Sequence, residues 1–93
     1  MLKIITVCGN GIGSSLMLRL KVEEICAENG IAVDVESCDF NSVLSKQPDL
    51  IITVAELAKQ LPAGQPVAVV RSYINKKKIQ EDALEKIREM AGV

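Results

Sequence analysis

The stretch LKIITVCGNGIGSSLML, residues 2–18, contains the change of pattern that decides the fold. Residues 2–7 are almost wholly apolar and rich in β-branched side chains, which predicts a strand buried on both faces. Farther along, apolar residues recur at helical spacing: Leu18, Val22, Ile25 and Cys26. Gly30 stands where a helix C-cap is expected. The stretch therefore predicts a strand, a glycine-rich connection and a helix over residues 14–29.

The same alternation of strand and helix continues through the rest of the chain. Strand patterns cover residues 31–38, 50–54 and 67–70, and helical patterns cover residues 41–46, 55–61 and the segment that Asn75 is expected to cap. Residues 2–7 and 50–54 are the most apolar and are expected at the centre of the sheet. In residues 31–38 acidic residues alternate with apolar ones, which indicates an edge strand with one face exposed to solvent. We predict one α/β domain over residues 1–93, with a four-stranded parallel sheet in the order 2-1-3-4 and helices on both faces.

Composition excludes several classes of function. The chain has 93 residues, a net charge of −1 and 2% aromatic residues, so it offers neither a basic field nor stacking side chains for nucleic acid. A signal peptide pattern is missing, and charged residues interrupt every apolar run before it reaches the length of about 20 residues that crosses a membrane. We expect a cytoplasmic protein with no nucleic-acid partner and no direct membrane insertion.

Cysteine usage argues against a disulfide framework and against a metal site. The three cysteines are Cys8, Cys26 and Cys38, an odd number in a chain without secretion signals. The sequence contains no histidine and no CxxC pair, so neither a zinc site nor another cofactor is expected. Without histidine, covalent chemistry needs another nucleophile.

Cys8 follows the first predicted strand, and ligands of open parallel sheets bind beyond the carboxyl ends of the strands. The glycines after Cys8 let a ligand approach the backbone, and the N-terminus of the next helix offers unpaired N–H groups and a positive dipole end. The same field lowers the pKa of a cysteine thiol. We therefore predict a cysteine that carries phosphate. The candidate phosphate-binding residues are Gly9, Asn10, Gly11, Ile12, Gly13, Ser14 and Ser15.

Other interpretations of this loop fit less well. A buried structural cysteine is the better interpretation for Cys26 and Cys38, but it leaves the glycines after Cys8 unexplained. A dinucleotide fingerprint would require glycine at Ser14, and a Walker A loop would require a lysine that is missing here. A tyrosine-phosphatase loop would place arginine at Ser14, where it would grip the transferred phosphoryl group. A hydrolytic phosphatase is therefore disfavoured.

The segment CGNGIGSSLML after a short N-terminal strand resembles the IIB component of the bacterial phosphoenolpyruvate-dependent sugar phosphotransferase system. The likeness covers essentially the whole chain and is strongest to the ascorbate type, close to the galactitol and lactose/cellobiose types. It implies that Cys8 accepts a phosphoryl group from a phosphohistidine on a IIA protein and passes it to a sugar, ascorbate, held by the membrane IIC transporter. It also implies that backbone N–H groups of residues 9–15 hold the phosphate. The implied fold is similar to that of low-molecular-weight tyrosine phosphatases.

Three alternatives to an ascorbate-type relay stay open at this point. They are a IIB protein for galactitol or another sugar, a cysteine-dependent phosphatase, and a regulatory IIB-like domain of a larger transcriptional activator. The regulatory interpretation is mildly disfavoured, because the chain begins with methionine and ends with its last predicted helix. A redox-sensing Cys8 also stays open, although it would need a resolving cysteine that the sequence does not place beside it.

Polar residues near the same sheet edge give weaker signals. Asn10 is a candidate amide donor to phosphate, although asparagine also favours turns. Asp39 is expected as a solvated loop acid and Arg71 as an ordinary surface residue, with partner or anion contacts as the alternatives. Residues 76–78, three lysines, are expected to be solvated and mildly unfavourable at a helix N-terminus, with a docking patch as the alternative.

Overall fold

Strands and helices alternate in a computed structural model of the chain, which describes residues 1–7 and 12–92, without the side chains of residues 12–15. The elements in chain order are β1 (Leu2–Val7), α1 (Ile12–Glu28), β2 (Val33–Cys38), α2 (Phe40–Val43), a 3-10 turn (Leu44–Lys46), β3 (Leu50–Thr53), α3 (Ala55–Ala58), β4 (Val67–Val69) and α4 (Lys76–Ala91). The predicted α/β class is confirmed.

The strands form one parallel sheet in the order β2-β1-β3-β4, as predicted. Ile4 on β1 pairs with Val35 on β2 and with Leu50 on β3, so β1 has a neighbour on each side. Strand β4 pairs with β3 on the far side, with Ile51 opposite Val67. The two most apolar strands therefore lie at the centre, where both of their faces are covered.

Side chains that alternate along the central strands divide the core into two clusters, one on each face of the sheet. Ile4 points into the larger cluster, beneath α1 and α4, and Ile5 points into the smaller one, beside α2 and α3. The smaller cluster comprises the buried residues Ile5, Val7, Val43 and Ile51, with Cys38, Phe40, Leu57, Leu61 and Val67 packed against them. Helices therefore cover both faces of the sheet, as predicted.

Several boundaries differ from the predicted ones, for local reasons. Helix α1 begins at Ile12 rather than at Ser14. Strand β2 begins at Val33 rather than at Ile31, because the N–H of Ile31 is used to cap α1. Helix α3 stops at Ala58, and hydrogen bonds between residues three apart continue the turn to Leu61.

Gly30 ends α1 in a Schellman motif, which confirms the predicted C-cap. Its φ is +68°, in the left-handed region. The N–H of Gly30 donates to the carbonyl of Ala27 at 3.3 Å, and the N–H of Ile31 donates to that of Cys26 at 2.9 Å. The buried Ile31 and Cys26 side chains join the same core cluster. The cap therefore turns the chain from α1 towards the edge strand β2.

We predict that Gly30→Ala lowers the free energy of unfolding by about 1 kcal/mol, because a Cβ disfavours the left-handed conformation. Gly64→Ala is the matched control: its backbone φ lies outside that region and its Cβ would meet nothing within 4 Å. Urea unfolding of both variants measures the difference. Equal free energies of unfolding for the two variants would contradict the assigned role of the Gly30 conformation.

Candidate functional site

The predicted phosphate-binding residues begin in the connection after β1 and continue into the first turn of α1, where the structure places residues 12–15. Strand β1 ends at the buried Val7, and α1 begins at Ile12, so four residues connect the centre of the sheet to a 17-residue helix. Cys8, Gly9, Asn10 and Gly11 lie outside the described residues. The side chains of Ile12, Ser14 and Ser15 also lie outside them, and of Gly13 only the helical backbone is described. The arrangement of these residues around phosphate stays a prediction, at a place in the fold where such sheets bind ligands.

The other two cysteines are described, and neither suits a nucleophile. Cys26 lies on α1 with its side chain buried in the core, and this burial raises the pKa of its thiol. Cys38 ends β2, where its Sγ donates to the carbonyl of Asp39 at 3.3 Å. Burial, and then the negative charge of Asp39, raise the pKa of the Cys38 thiol. Because the thiolate is the reactive form, both cysteines are disfavoured at neutral pH.

A buried threonine that the sequence reasoning missed borders the site. Residues 50–54 were expected as a wholly apolar strand, but the hydroxyl of Thr53 donates to the carbonyl of Val7 at 2.9 Å. The carbonyl of Thr53 accepts from the N–H of Val70 at 2.9 Å. Thr53 therefore connects the ends of β1, β3 and β4. The signal available in the sequence is a single hydroxyl residue at the end of an apolar run.

Arg71, which follows β4, is exposed, as expected of a surface residue, and it also forms ion pairs within the protein. Its N–H donates to the carboxylate of Asp82 at 3.0 Å, and its guanidinium donates to the same carboxylate at 3.0 and 3.1 Å. A further bond reaches Glu81 at 3.2 Å. These contacts hold the guanidinium against α4. The hydrogen bond from Arg71 holds the pKa of the Asp82 carboxyl below its ordinary value.

The connection between β4 and α4 is built from hydrogen bonds to short side chains. The hydroxyl of Ser72 accepts from the N–H groups of Ile74 and Asn75 at 3.2 and 3.1 Å. The side chain of Asn75 accepts from the N–H of Lys78 at 3.1 Å, which confirms the predicted N-cap. These bonds fix the backbone around Ile74, a residue that is 66% exposed. The connection therefore presents an apolar side chain beyond the last strand.

Among the residues that the structure describes, the first of the three lysines at the start of α4 is ion-paired, unlike the other two. Lys77 and Lys78 are exposed, as expected, but Lys76 forms ion pairs with Glu28 at 2.6 Å and Glu24 at 3.5 Å. The expectation of a solvated side chain is therefore wrong for Lys76. Its carboxylate partners oppose the unfavourable interaction of a cation with the helix dipole. Asp39 is exposed, as expected of a loop acid.

Metal-binding clusters and membrane-spanning helices are both absent from the part of the chain that the structure describes. Residues 1–7 and 12–92 contain no group of three or more histidine, cysteine or acidic side chains that could hold a metal ion. None of the helices in those ranges has the length and apolar character needed to span a membrane.

We predict that Asp82→Asn lowers the free energy of unfolding at pH 7 by up to about 1 kcal/mol, and that this deficit shrinks as the pH falls below about 4. The folded-state pKa of Asp82 is depressed, so its contribution is complete above the unfolded-state pKa and is lost as the pH falls through the folded-state pKa. Urea unfolding between pH 7 and pH 3 measures it. The control Glu81→Gln removes a more exposed partner of Arg71 and should cost less. A deficit independent of pH would contradict the role of the Asp82 charge.

Comparison with known proteins assigns the chain to a family. The family model described as the PTS system lactose/cellobiose-specific IIB subunit matches residues 3–87. The chain is 32% identical over 92 residues to proteins named ascorbate-specific PTS system EIIB component from Escherichia coli O157:H7 and Salmonella typhimurium, covering 94% of this chain and 90% of theirs. A protein of the same name from Mycoplasma pneumoniae is 31% identical over 71 residues, covering 74% of this chain and 75% of its own. The chain therefore belongs to the IIB family of the sugar phosphotransferase system, as its resemblance implied.

Proposed function

We propose that this protein is an ascorbate-type phosphoryl relay in which Cys8 accepts a phosphoryl group from a IIA phosphohistidine and passes it to ascorbate bound by a IIC transporter. One observation carries the proposal: in a chain of the IIB family, Cys8 is the cysteine between a central strand and the N-terminus of α1. Cys26 and Cys38 have raised thiol pKa values and are poor candidates for the acceptor.

The proposed transfer has two displacement steps. The thiolate of Cys8 attacks phosphorus, an S–P bond forms, and the N–P bond breaks with its electron pair returning to the imidazole of the IIA protein. A hydroxyl oxygen of ascorbate then attacks the same phosphorus and gives its proton to water. The S–P bond breaks and the thiolate of Cys8 is regenerated, so the domain is unchanged after each cycle.

A backbone cradle suits a relay better than an arginine-based site. A phosphoryl group on Cys8 would bring close to two negative charges to the N-terminus of α1, which the helix dipole offsets in part. Residues 9–15 contain no arginine or lysine. Arg71, at the end of β4, is held by Asp82 and Glu81. The phosphoryl group would therefore be held by N–H groups that leave it transferable.

Exposed apolar side chains near the same edge support transfer between proteins. Leu16 and Met17, in the first half of α1, are partly exposed, and Ile74 is prominently exposed beyond β4. A donor protein docked there would exclude water from the reacting phosphoryl group. In this proposal the domain works on the cytoplasmic side of the membrane, together with its IIA and IIC partners.

The proposed substrate is taken from the names of the relatives. Those that match over most of the chain are named ascorbate-specific, while the family model is named for lactose and cellobiose. The sugar itself is selected mainly by the IIC transporter. Ascorbate is therefore proposed because the relatives are ascorbate-specific. Galactitol or another sugar is the alternative, and the panel of IIA donors described below distinguishes it from ascorbate.

We predict that the protein gains one phosphoryl group when incubated with phosphoenolpyruvate, the general phosphotransferase proteins and an ascorbate-type IIA protein. Intact-mass spectrometry measures the gain. Cys8→Ser should abolish it, because the acceptor thiolate is removed, and Cys38→Ser, the matched control, should retain it. A panel of IIA donors of other sugar types should phosphorylate the protein more slowly.

Specific outcomes would contradict this proposal. Phosphorylation that survives in Cys8→Ser would exclude Cys8 as the acceptor, and preference for a galactitol-type donor would exclude the ascorbate assignment. Lack of phosphorylation by every active donor in the panel would exclude the relay. Catalytic turnover of an aryl phosphate by the isolated protein would support the cysteine-dependent phosphatase instead.

We predict that Gly13→Val slows phosphorylation of Cys8 by at least about tenfold, because a branched side chain would intrude on the predicted cradle. Gly64→Val is the control, since a Cβ at Gly64 meets nothing within 4 Å. Rapid-quench measurement of the phosphorylated fraction gives both rates. Equal rates in the two variants, with both folded, would refute the cradle.

A further inference from the structure

A buried hydroxyl on β3 reaches the backbone that leads into Cys8. Thr53 is the last residue of β3 and has 0% exposure, on the face of the sheet that Ile51 shares. Its Oγ1 donates to the carbonyl oxygen of Val7 at 2.9 Å. Val7 is the last residue of β1, and its carbonyl belongs to the peptide group that continues into Cys8.

This hydrogen bond extends the pairing of β1 with β3, which other hydrogen bonds stabilise along the strands and at their amino-terminal edge. The aligned residues of β1 and β3 run from Ile4 opposite Leu50 to Thr6 opposite Ile52. At the amino-terminal edge, the N–H of Lys3 donates to the carboxylate of Asp49 at 2.8 Å, and the N–H of Asp49 donates to the carbonyl of Lys3 at 2.9 Å. The Thr53 bond therefore acts at the opposite end, where β1 leaves the sheet.

The chemistry of the position favours a specific role for the hydroxyl. A buried hydroxyl is costly unless it is hydrogen-bonded, and valine would fill nearly the same volume without a polar atom. The carbonyl of Thr53 also accepts from the N–H of Val70, immediately before Arg71. One residue thus connects the end of β1 to the connection that follows β4.

We propose that Thr53 is a positioning residue for Cys8. A peptide group is planar, so a hydrogen bond that orients the carbonyl of Val7 also orients the N–H of Cys8. The direction in which the backbone enters the phosphate loop is thereby set by the side chain of Thr53. The role of Cys8 as phosphoryl acceptor rests on the proposed function, whereas its positioning by Thr53 is testable through the thiol alone.

The experiment compares Thr53→Val, which removes the donor at nearly constant volume, with Thr53→Ser, which keeps it. Iodoacetamide alkylation of Cys8 is followed from pH 5 to pH 10, with peptide mass spectrometry to separate Cys8 from Cys26 and Cys38. Single-turnover phosphorylation is measured at low and at saturating concentrations of the IIA donor. Ile87→Val, a buried change on α4, controls for general loss of stability.

We expect Thr53→Val to move the pH midpoint of Cys8 alkylation upwards and to slow phosphorylation at saturating donor by about tenfold or more, with the donor concentration for half-maximal rate little changed. Thr53→Ser should restore both values to near wild type. Ile87→Val should change neither the alkylation midpoint nor the phosphorylation rate, when its unfolding midpoint is comparable with that of Thr53→Val. If Thr53→Val does not fold, Thr53→Ser and Thr53→Ala form a second pair that differs only by the hydroxyl.

Two results would overturn the inference. One is an unchanged midpoint and rate in folded Thr53→Val, or equal values in Thr53→Ser and Thr53→Ala. The other is the same upward shift in Ile87→Val, which would assign the effect to stability. If the wild-type protein accepts no phosphoryl group, the proposed relay fails, and the alkylation profile alone still decides whether Thr53 positions Cys8.

Discussion

The pairing of β1 with β3 is the constraint on which the rest of the structure depends. Ile4 and Ile5 on β1, and Leu50, Ile51 and Ile52 on β3, are all fully buried. Strands covered on both faces have no access to water, so their backbone groups must bond to neighbouring strands. This requirement places β1 and β3 at the centre, with β2 and β4 at the edges. It also fixes where β1 ends and where the predicted phosphate loop begins.

Polar groups join β1 to β3 at both ends of this apolar centre. Lys3 and Asp49 join β1 to β3 at the amino-terminal edge, and Thr53 joins them at the carboxyl edge. Beyond β4, Arg71 is held against α4 by Asp82. With that guanidinium engaged, the proposed relay depends on backbone N–H groups rather than on an arginine. Such a site is suited to holding a phosphoryl group that must move on to the next acceptor.

Local signals predicted much of the fold. The β-branched run at residues 2–7, the helical spacing after it and Gly30 predicted the order β1, α1 and β2. The contrast between apolar and alternating strands predicted which strands are central. Boundaries were less accurate, because they depend on hydrogen bonds between distant groups. The N–H of Ile31, for example, completes the cap of α1 instead of entering β2.

The sequence by itself determined the fold class, the strand order and the choice of Cys8 as the candidate acceptor, since these follow from hydrophobic periodicity and from the position of Cys8 between the first strand and the glycines. Only the tertiary structure decided which charged and hydroxyl groups meet. Lys76 pairs with Glu28, 48 residues away, and Thr53 bonds to Val7, 46 residues away. Contacts over such separations arise when packed elements bring the groups together, and local pattern carries no information about the partner.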